Sequence, residues 1–573
     1  MEKPVEQWIV IGTIEAAGMP GNLVRVAREC YNPRARGQCA FYQTHPIKAI
    51  SMMKTTTSSK VHHPGSMAST RRAISVSLLL AAWLMLLILP AGSVSAAQLR
   101  AGAAKVDITH PDSALVESPL YSRALVITNG DVTVVLVTMD VVSIGEIGHI
   151  KKEFLENVRK QLKQDLGLDP ASLMINTSHC HGVPSPDSEA LTIQAIKQAM
   201  EKLEPVTIGV GKGHEDRIME NRRMLLKNGK EIDVRHAYSL PPDEEVVGTG
   251  PIDPEIGIVR LNKQDGNTLA VVYNFACHPI QATPSGANTA DITGFSSQVI
   301  EDNLSEGTIA LFVQGCGGDI NPIDYKDVDH PRHAEPLGNM LGLSTLKAIR
   351  KIKTEEDDRL QIFNEKIELP RADLAGRIIE MENQQQVLLQ SLRGTSLNLR
   401  SFMHLSSKHN LSAGFPSAHA SRYLHDEKLG HTDLKNMDAA NRNNMRAYLR
   451  NVYTMEELTR VGTNLRLLKM HQQQNLEAEK RTVTVEVVGV RIGDFVMITF
   501  PGELTVRIGL GIKERANHEH TYVAGYTNGY IYYSPTAKQL RNVGGAQEDS
   551  DCILDPAWQA IFEAKVEELL GKL

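Results

Sequence analysis

The sequence predicts an α/β fold of layered mixed sheets with flanking helices, in a single large domain. Two observations predict it. From Leu99 onward, β-branched apolar runs alternate with amphipathic stretches, and the alternation resumes after a polar, helix-like section. No internal repeat or linker divides residues 98–573. The chain has 573 residues, 42% of them hydrophobic and 22% charged, enough to bury a large core.

The elements follow in order. Ala124–Thr128 and Thr133–Thr138 read as strands joined by the turn Asn129-Gly130-Asp131. Ile147–Leu166 reads as an amphipathic helix, Ser172–Asn176 as a short apolar strand, Leu191–Leu203 as a helix and Pro205–Val210 as a strand. A second block places strands at Leu269–Phe275 and Thr308–Val313, each ending in a polar or Gly-rich turn. Residues 370–480 read as helices joined by a polar stretch near 404–440. Strands return at Val483–Val490 and Phe495–Thr499. Pro556–Leu573 is a terminal helix, with Asp555 placed to cap it and Pro556 at its first position.

Residues 67–97 carry a separate signal. Arg71 and Arg72 precede an apolar run from Ala73 to Leu89, followed by Pro90, Gly92 and the small residues Ser93–Ala97, the layout of a secretory signal peptide. Met67 stands directly before it, so residues 1–66 are expected to be an over-extended reading frame or a disordered extension. The mature chain is then 98–573, exported to a periplasmic or extracellular space. A run of about 17 apolar residues is at the short end for a membrane span, and an uncleaved signal would make it an anchor.

The formal net charge of -6 offers no basic face for nucleic acid, and none is expected as a partner. Of six cysteines, Cys30 and Cys39 precede the mature chain. Cys180, Cys277, Cys316 and Cys552 form no C-x-x-C pair and are expected to be mostly free, buried thiols.

Chemistry concentrates where strands end. In Thr177-Ser178-His179-Cys180-His181-Gly182, residues at i and i+2 of an extended segment share a face. Both imidazoles can then meet one cation, or one can bind it while the other faces substrate. Cys277-His278-Pro279 and Phe500-Pro501-Gly502-Glu503 put a third histidine and a carboxylate at equivalent strand ends. Zinc commonly takes such His and Glu ligands from separate segments and keeps one place for water. Gly315–Pro322 lacks the Gly-Lys-Ser/Thr ending of a P-loop. Its glycines bring backbone close to a ligand, offer N–H donors to an oxyanion, or simply form a tight turn. Tyr526, Tyr530, Tyr532 and Tyr533 around Asn528-Gly529 read as a packed hairpin or edge. His404, His409, His419, His425 and His431 lack strand-end context and read as surface residues.

These motifs, in this order, resemble the neutral ceramidase family, zinc amidases that cleave the N-acyl bond of ceramide. The resemblance runs from about Leu99 to near the C-terminus and is poor over 370–480. It rests on Ser178-His179-Cys180-His181, Asn274–His278, Gly318-Asp319, Pro501-Gly502-Glu503 and Asn528–Tyr533. It implies a single catalytic domain holding Zn2+ through His179, His278, Glu503 and Tyr533. His181, with Arg222 of the pair Asn221-Arg222, would contact the substrate. That substrate would be a small-molecule or lipid N-acyl compound, with peripheral membrane contact as a corollary. The sequence departs from the family where Asn321 replaces a catalytic serine, and near Val543-Gly544-Gly545, where an oxyanion-stabilising tyrosine has no counterpart. The family's C-terminal immunoglobulin-like domain also has no expected counterpart. Asn321 is expected to donate a hydrogen bond to the oxyanion instead. Two other readings share the scaffold: a zinc esterase or lactonase, and a non-catalytic zinc- or lipid-binding protein.

Overall fold

The structure is a computed structural model. It describes residues 98–573 apart from 235–239, 326, 328, 330, 331, 412–420, 543 and 544. The expected leader and signal peptide therefore lie outside the described residues, as do His419, the side chain of His409, and Val543-Gly544 of the missing-tyrosine segment. Among the described residues no helix is long and apolar enough to cross a membrane.

The first sheet has eight strands: β1 (Arg100–Asp107), β2 (Tyr121–Thr128), β3 (Thr133–Met139), β4 (Leu173–Thr177), β5 (Glu204–His214), β6 (Glu255–Lys263), β7 (Thr268–Phe275) and β8 (Ile309–Gln314), in spatial order 8-7-6-5-1-2-3-4. Most neighbours are antiparallel, but β3/β4 and β7/β8 run parallel, as the intervening helices require. The centre of the sheet is weakly joined, since β1 and β5 share only the pairs Arg100↔Pro205 and Ala101↔Glu204. Its two halves fold toward one another there, so Leu136 and Met174 of one half share a core with Leu269, Leu311 and Val313 of the other.

A second mixed sheet completes this core. It contains β9 (Leu360–Pro370), β10 (Thr482–Ile492), β11 (Phe495–Thr499) and β12 (His520–Ala524), with β11/β12 parallel. Val488, Val490, Phe495 and Met497 meet the first sheet's apolar face. Helices cover the outer faces: α1 (Phe154–Leu166) and α2 (Ser188–Glu201) over β1–β4, and α3 (Asp291–Asp302) and α4 (Glu335–Ile349) over β6–β8. Strands buried on both faces are near-continuous apolar runs, as β3 and β7 are.

The helical section forms α5 (Ala375–Ser391), α6 (Leu399–Leu411), α7 (Ser421–Lys428) and the 45-residue α8 (Asp433–Glu477). Much of the stretch near 404–440 expected as a polar connection is thus helix; the later half of α8 packs Val461, Leu465 and Leu468 against Leu374 and Met381. The chain closes with α9 (Val506–Arg515) and α10 (Trp558–Lys572). Two boundaries differ from the sequence reading. α1 starts at Phe154 rather than Ile147, because Gly145, Glu146 and Gly148 adopt left-handed backbone. α10 starts at Trp558; Asp555 accepts from the Ala557 N–H in the turn just before it. His404, His425 and His431 are exposed, as expected. All four described cysteines are buried and form no disulfide.

Candidate metal centre

Five strands end together. Asn176, near the end of β4, accepts from the Gln314 N–H of β8 (2.8 Å) and donates to the Gly525 carbonyl beyond β12 (2.8 Å). This buried side chain ties the parallel strand ends of the two sheets to one point. The segments after β4, β7 and β11 carry His179, His278 and Glu503 there.

His179, His278 and Glu503 are buried, and their ligand atoms lie within 4.8 Å of one another. Each histidine has its Nδ1 on a backbone carbonyl: His179 on Val142 (2.8 Å) and His278 on Ile320 (3.0 Å). An Nδ1–H donated to a carbonyl turns the Nε2 lone pair inward, the orientation that metal-binding imidazoles take. The two Nε2 atoms face Glu503, at 3.5 Å from Oε1 for His179 and 3.0 Å from Oε2 for His278. Ligand atoms around a tetrahedral zinc stand about 3.3 Å apart, given metal–ligand distances near 2.0–2.1 Å. Three converging ligand atoms at that spacing could hold a cation, and the donor set fits a divalent metal.

Backbone strain marks the place. His179 holds φ at 68°, which costs a non-glycine residue energy and persists where surrounding structure enforces it. The enforcing bonds run from Ser178 N–H to the Met139 carbonyl and from His179 N–H to the Val141 carbonyl.

Glu503 is surrounded by donors. Tyr526 donates to Oε2 (3.2 Å) and Tyr530 donates to Oε1. Burial opposes its charge, but the two imidazoles when protonated, together with these hydrogen bonds, outweigh it, holding the carboxyl well below the usual range. Burial beside the same carboxylate pushes both phenols well up, so they remain neutral donors.

The other expected residues occupy the surroundings. Tyr533 sits beside Glu503 by strand pairing, and its hydroxyl accepts from Arg222 Nη2 (3.2 Å). His181 is exposed, its ring 5.5 Å from that of His179, so the two imidazoles divide into one buried and one solvent-facing. Arg222 is fully buried, with four of its five N–H donors engaged: by Glu548 (2.5 Å), the Asn321 carboxamide oxygen (3.1 Å), the Gly318 carbonyl (2.5 Å) and Tyr533. Asn321 pairs in register with Glu220 beside Arg222, and its neighbour Ile320 supplies the carbonyl that orients His278. The glycine loop has a different role from a ligand cradle. A Cβ on Gly318 would lie 2.7 Å from the Glu503 carbonyl, so its glycine lets the Glu503 strand approach.

The sequence reading missed Tyr526, Tyr530 and Glu548. Tyr526 follows the end of β12 just as Glu503 follows β11, and the strand-end rule applied once more would have found it. Tyr530 and Glu548 lie in irregular segments where no local pattern points at a partner. The four tyrosines form no hairpin: positive φ at Tyr526, Asn528 and Tyr532 winds the segment so that its first two hydroxyls reach Glu503.

Fold and site together define a layered mixed-sheet protein with a buried His-His-Glu centre at its strand ends. The solved structures it resembles are neutral ceramidases. One, described as ceramidase complexed with C2, matches at TM-score 0.52 and 17% identity over 82% of this chain and 75% of its own. Another, the neutral ceramidase from Pseudomonas aeruginosa, matches at TM-score 0.52 and 15% identity over 82% of this chain and 73% of its own. The fold is neutral-ceramidase-like. No family profile matches the chain, and no curated protein does.

Proposed function

We propose that this chain is an exported, zinc-dependent hydrolase that cleaves the amide bond of an N-acyl substrate, small-molecule or lipid, in the manner of a neutral ceramidase. The observation that carries it is the buried convergence of His179, His278 and Glu503, both Nδ1 atoms tethered, on a ceramidase-like fold. Zn2+ at such a centre supplies Lewis acidity, polarising the scissile carbonyl and lowering the pKa of water toward about 7.

The chain's own residues do the rest. His179, His278, Glu503 and Tyr533 hold the ion. Arg222 fixes the Tyr533 hydroxyl and, by gripping the Asn321 oxygen, leaves the amide end of Asn321 as a donor for the developing oxyanion. His181, exposed beside His179, contacts the substrate and carries a proton to the leaving amine. Export rests on the 67–97 leader, and the acyl substrate brings peripheral membrane contact with it.

A second reading is a non-catalytic zinc- or lipid-binding protein. It is favoured by Asn321, which offers no nucleophile, and by an Arg222 already engaged with Glu548. Two measurements separate the readings: metal content of the purified protein, and fatty-acid release from N-acyl and O-acyl panels with and without chelator. Chelator-sensitive amide turnover supports the proposal, ester turnover alone makes it an esterase, and zinc without turnover supports the binder. Protein without zinc, or a His179→Ala variant retaining both zinc and turnover, overturns the site.

A further inference from the structure

Tyr530 and Tyr532 also line a cavity of about 1020 Å3, to which none of His179, His278 and Glu503 contributes. Its walls are α1, the β9/β10 edge, the C-terminal end of α8 and the tyrosine segment. The volume is at the upper end for a small-molecule site.

Six cations line these walls against the four carboxylates Glu146, Glu156, Glu477 and Glu486, an excess of two, with Lys152 facing Glu146. Arg159 is neutralised by Glu486 through a two-pronged contact (2.8 and 2.9 Å). Lys160, Lys163, Lys366 and Arg371 have no ion pair among the described residues. Lys163 lies in the last turn of α1, where a cation complements the helix dipole and needs no ligand, and Lys160 is exposed one turn earlier. Lys366 and Arg371 stand on and just after a strand, where that reason does not apply; Lys366 feels Glu486, which Arg159 already engages, and Arg371 has no carboxylate partner. Arg371 donates one hydrogen bond to Asn475 (3.0 Å), while its buried Nε has no partner. A part-buried guanidinium with no carboxylate partner favours an anion, and its planar fork matches carboxylate and phosphate. Pro501, Ile531 and Ile553 supply apolar wall to the same cavity.

We infer that this groove binds an anionic amphiphile, its carboxylate or phosphate head on Arg371 and Lys366 and its alkyl chain along Pro501, Ile531 and Ile553. The occupant lies against the segment whose Tyr530 hydroxyl holds Glu503 and whose Tyr532 hydroxyl lies between Gln474 (3.0 Å) and Glu146 (3.2 Å). A fatty-acid carboxylate is one source, resting on the hydrolase reading above; a lipid phosphate is the other.

The test is calorimetric titration of the purified protein with laurate, dodecyl phosphate and uncharged dodecyl maltoside. It is repeated in Lys366→Gln, in Lys366→Gln/Arg371→Gln, and in His278→Ala. The last breaks the metal centre and separates this groove from carboxylate binding at the ion. Laurate or dodecyl phosphate is expected to bind at least tenfold more tightly than maltoside, to bind unchanged in His278→Ala, and to weaken several-fold in Lys366→Gln and tenfold or more in the double variant. The tighter of the two anions identifies the source. Equal binding of maltoside, loss of binding in His278→Ala, or undiminished binding in Lys366→Gln, whose exposed side chain makes it safe for folding, overturns the inference. Metal content is scored separately, so failure here leaves the hydrolase reading standing.

Discussion

Tyr530 donates to Glu503 Oε1 and Tyr526 to Oε2, so each ligand oxygen is aimed by a phenol before any ion arrives. Partners of this kind typically set metal affinity by roughly 10–100-fold. Tyr530→Phe is therefore expected to weaken zinc binding by about that factor while the protein stays folded, read by competition with a chelating dye. A second residue-scale prediction concerns Asp291, which is buried and accepts the Gln281, Ala282 and Ile292 N–H groups just beyond His278. Burial opposes its charge more than these hydrogen bonds favour it, pushing its pKa up from 3.8 to about 6. The folded state then holds a proton that the unfolded chain releases. The stability it contributes is full below about pH 4 and is lost as pH rises through 6, of the order of 3 kcal/mol. Asp291→Asn should flatten that part of the pH profile of denaturant midpoints; a variant with the parent's slope between pH 4 and 6 would refute the assignment.

At the scale of elements, the strands were legible because buried β-branched runs such as Thr133–Met139 resist any other reading. Their ends were legible too, which is how His179, His278 and Glu503 were found. The helices of 370–480 were legible as well, but not their extent: the polarity near 404–440 suggested a connection, whereas helices occupy most of its described residues, and α8 runs for 45 residues with only a narrow buried stripe that depends on α5. α8 also reaches the site's periphery. Buried His471 joins Asp551 (2.8 Å) to Gln474 (2.9 Å), while Gln474 bonds Tyr532 (3.0 Å) and the Asp551 carbonyl receives the Tyr533 N–H (3.1 Å). His471→Ala strands two polar partners and should cost about 1–3 kcal/mol in chemical denaturation. It should also lower zinc affinity through Tyr533, which an unconnected helix would leave unchanged.

For the whole molecule, the metal centre joins segments from both sheets, so an ion there acts as a clamp between layers. A ligand bound only by the folded state at 1,000 times its Kd contributes about 4 kcal/mol. Removing metal with a chelator should lower Tm by several degrees, and restoring zinc should recover it. A Tm indifferent to chelator would mean the three ligands hold no ion of consequence. By itself the sequence determined the α/β class, most strands and the three strand-end residues His179, His278 and Glu503 that converge, because hydrophobic periodicity and local turn chemistry act over a few residues. Only the tertiary structure decided that the eight-stranded sheet folds on itself, that Tyr526 and Tyr530 converge on Glu503, and that Arg222 is engaged with Glu548. Those contacts span up to 326 residues of chain, and no local pattern encodes which distant partner a buried charge will meet.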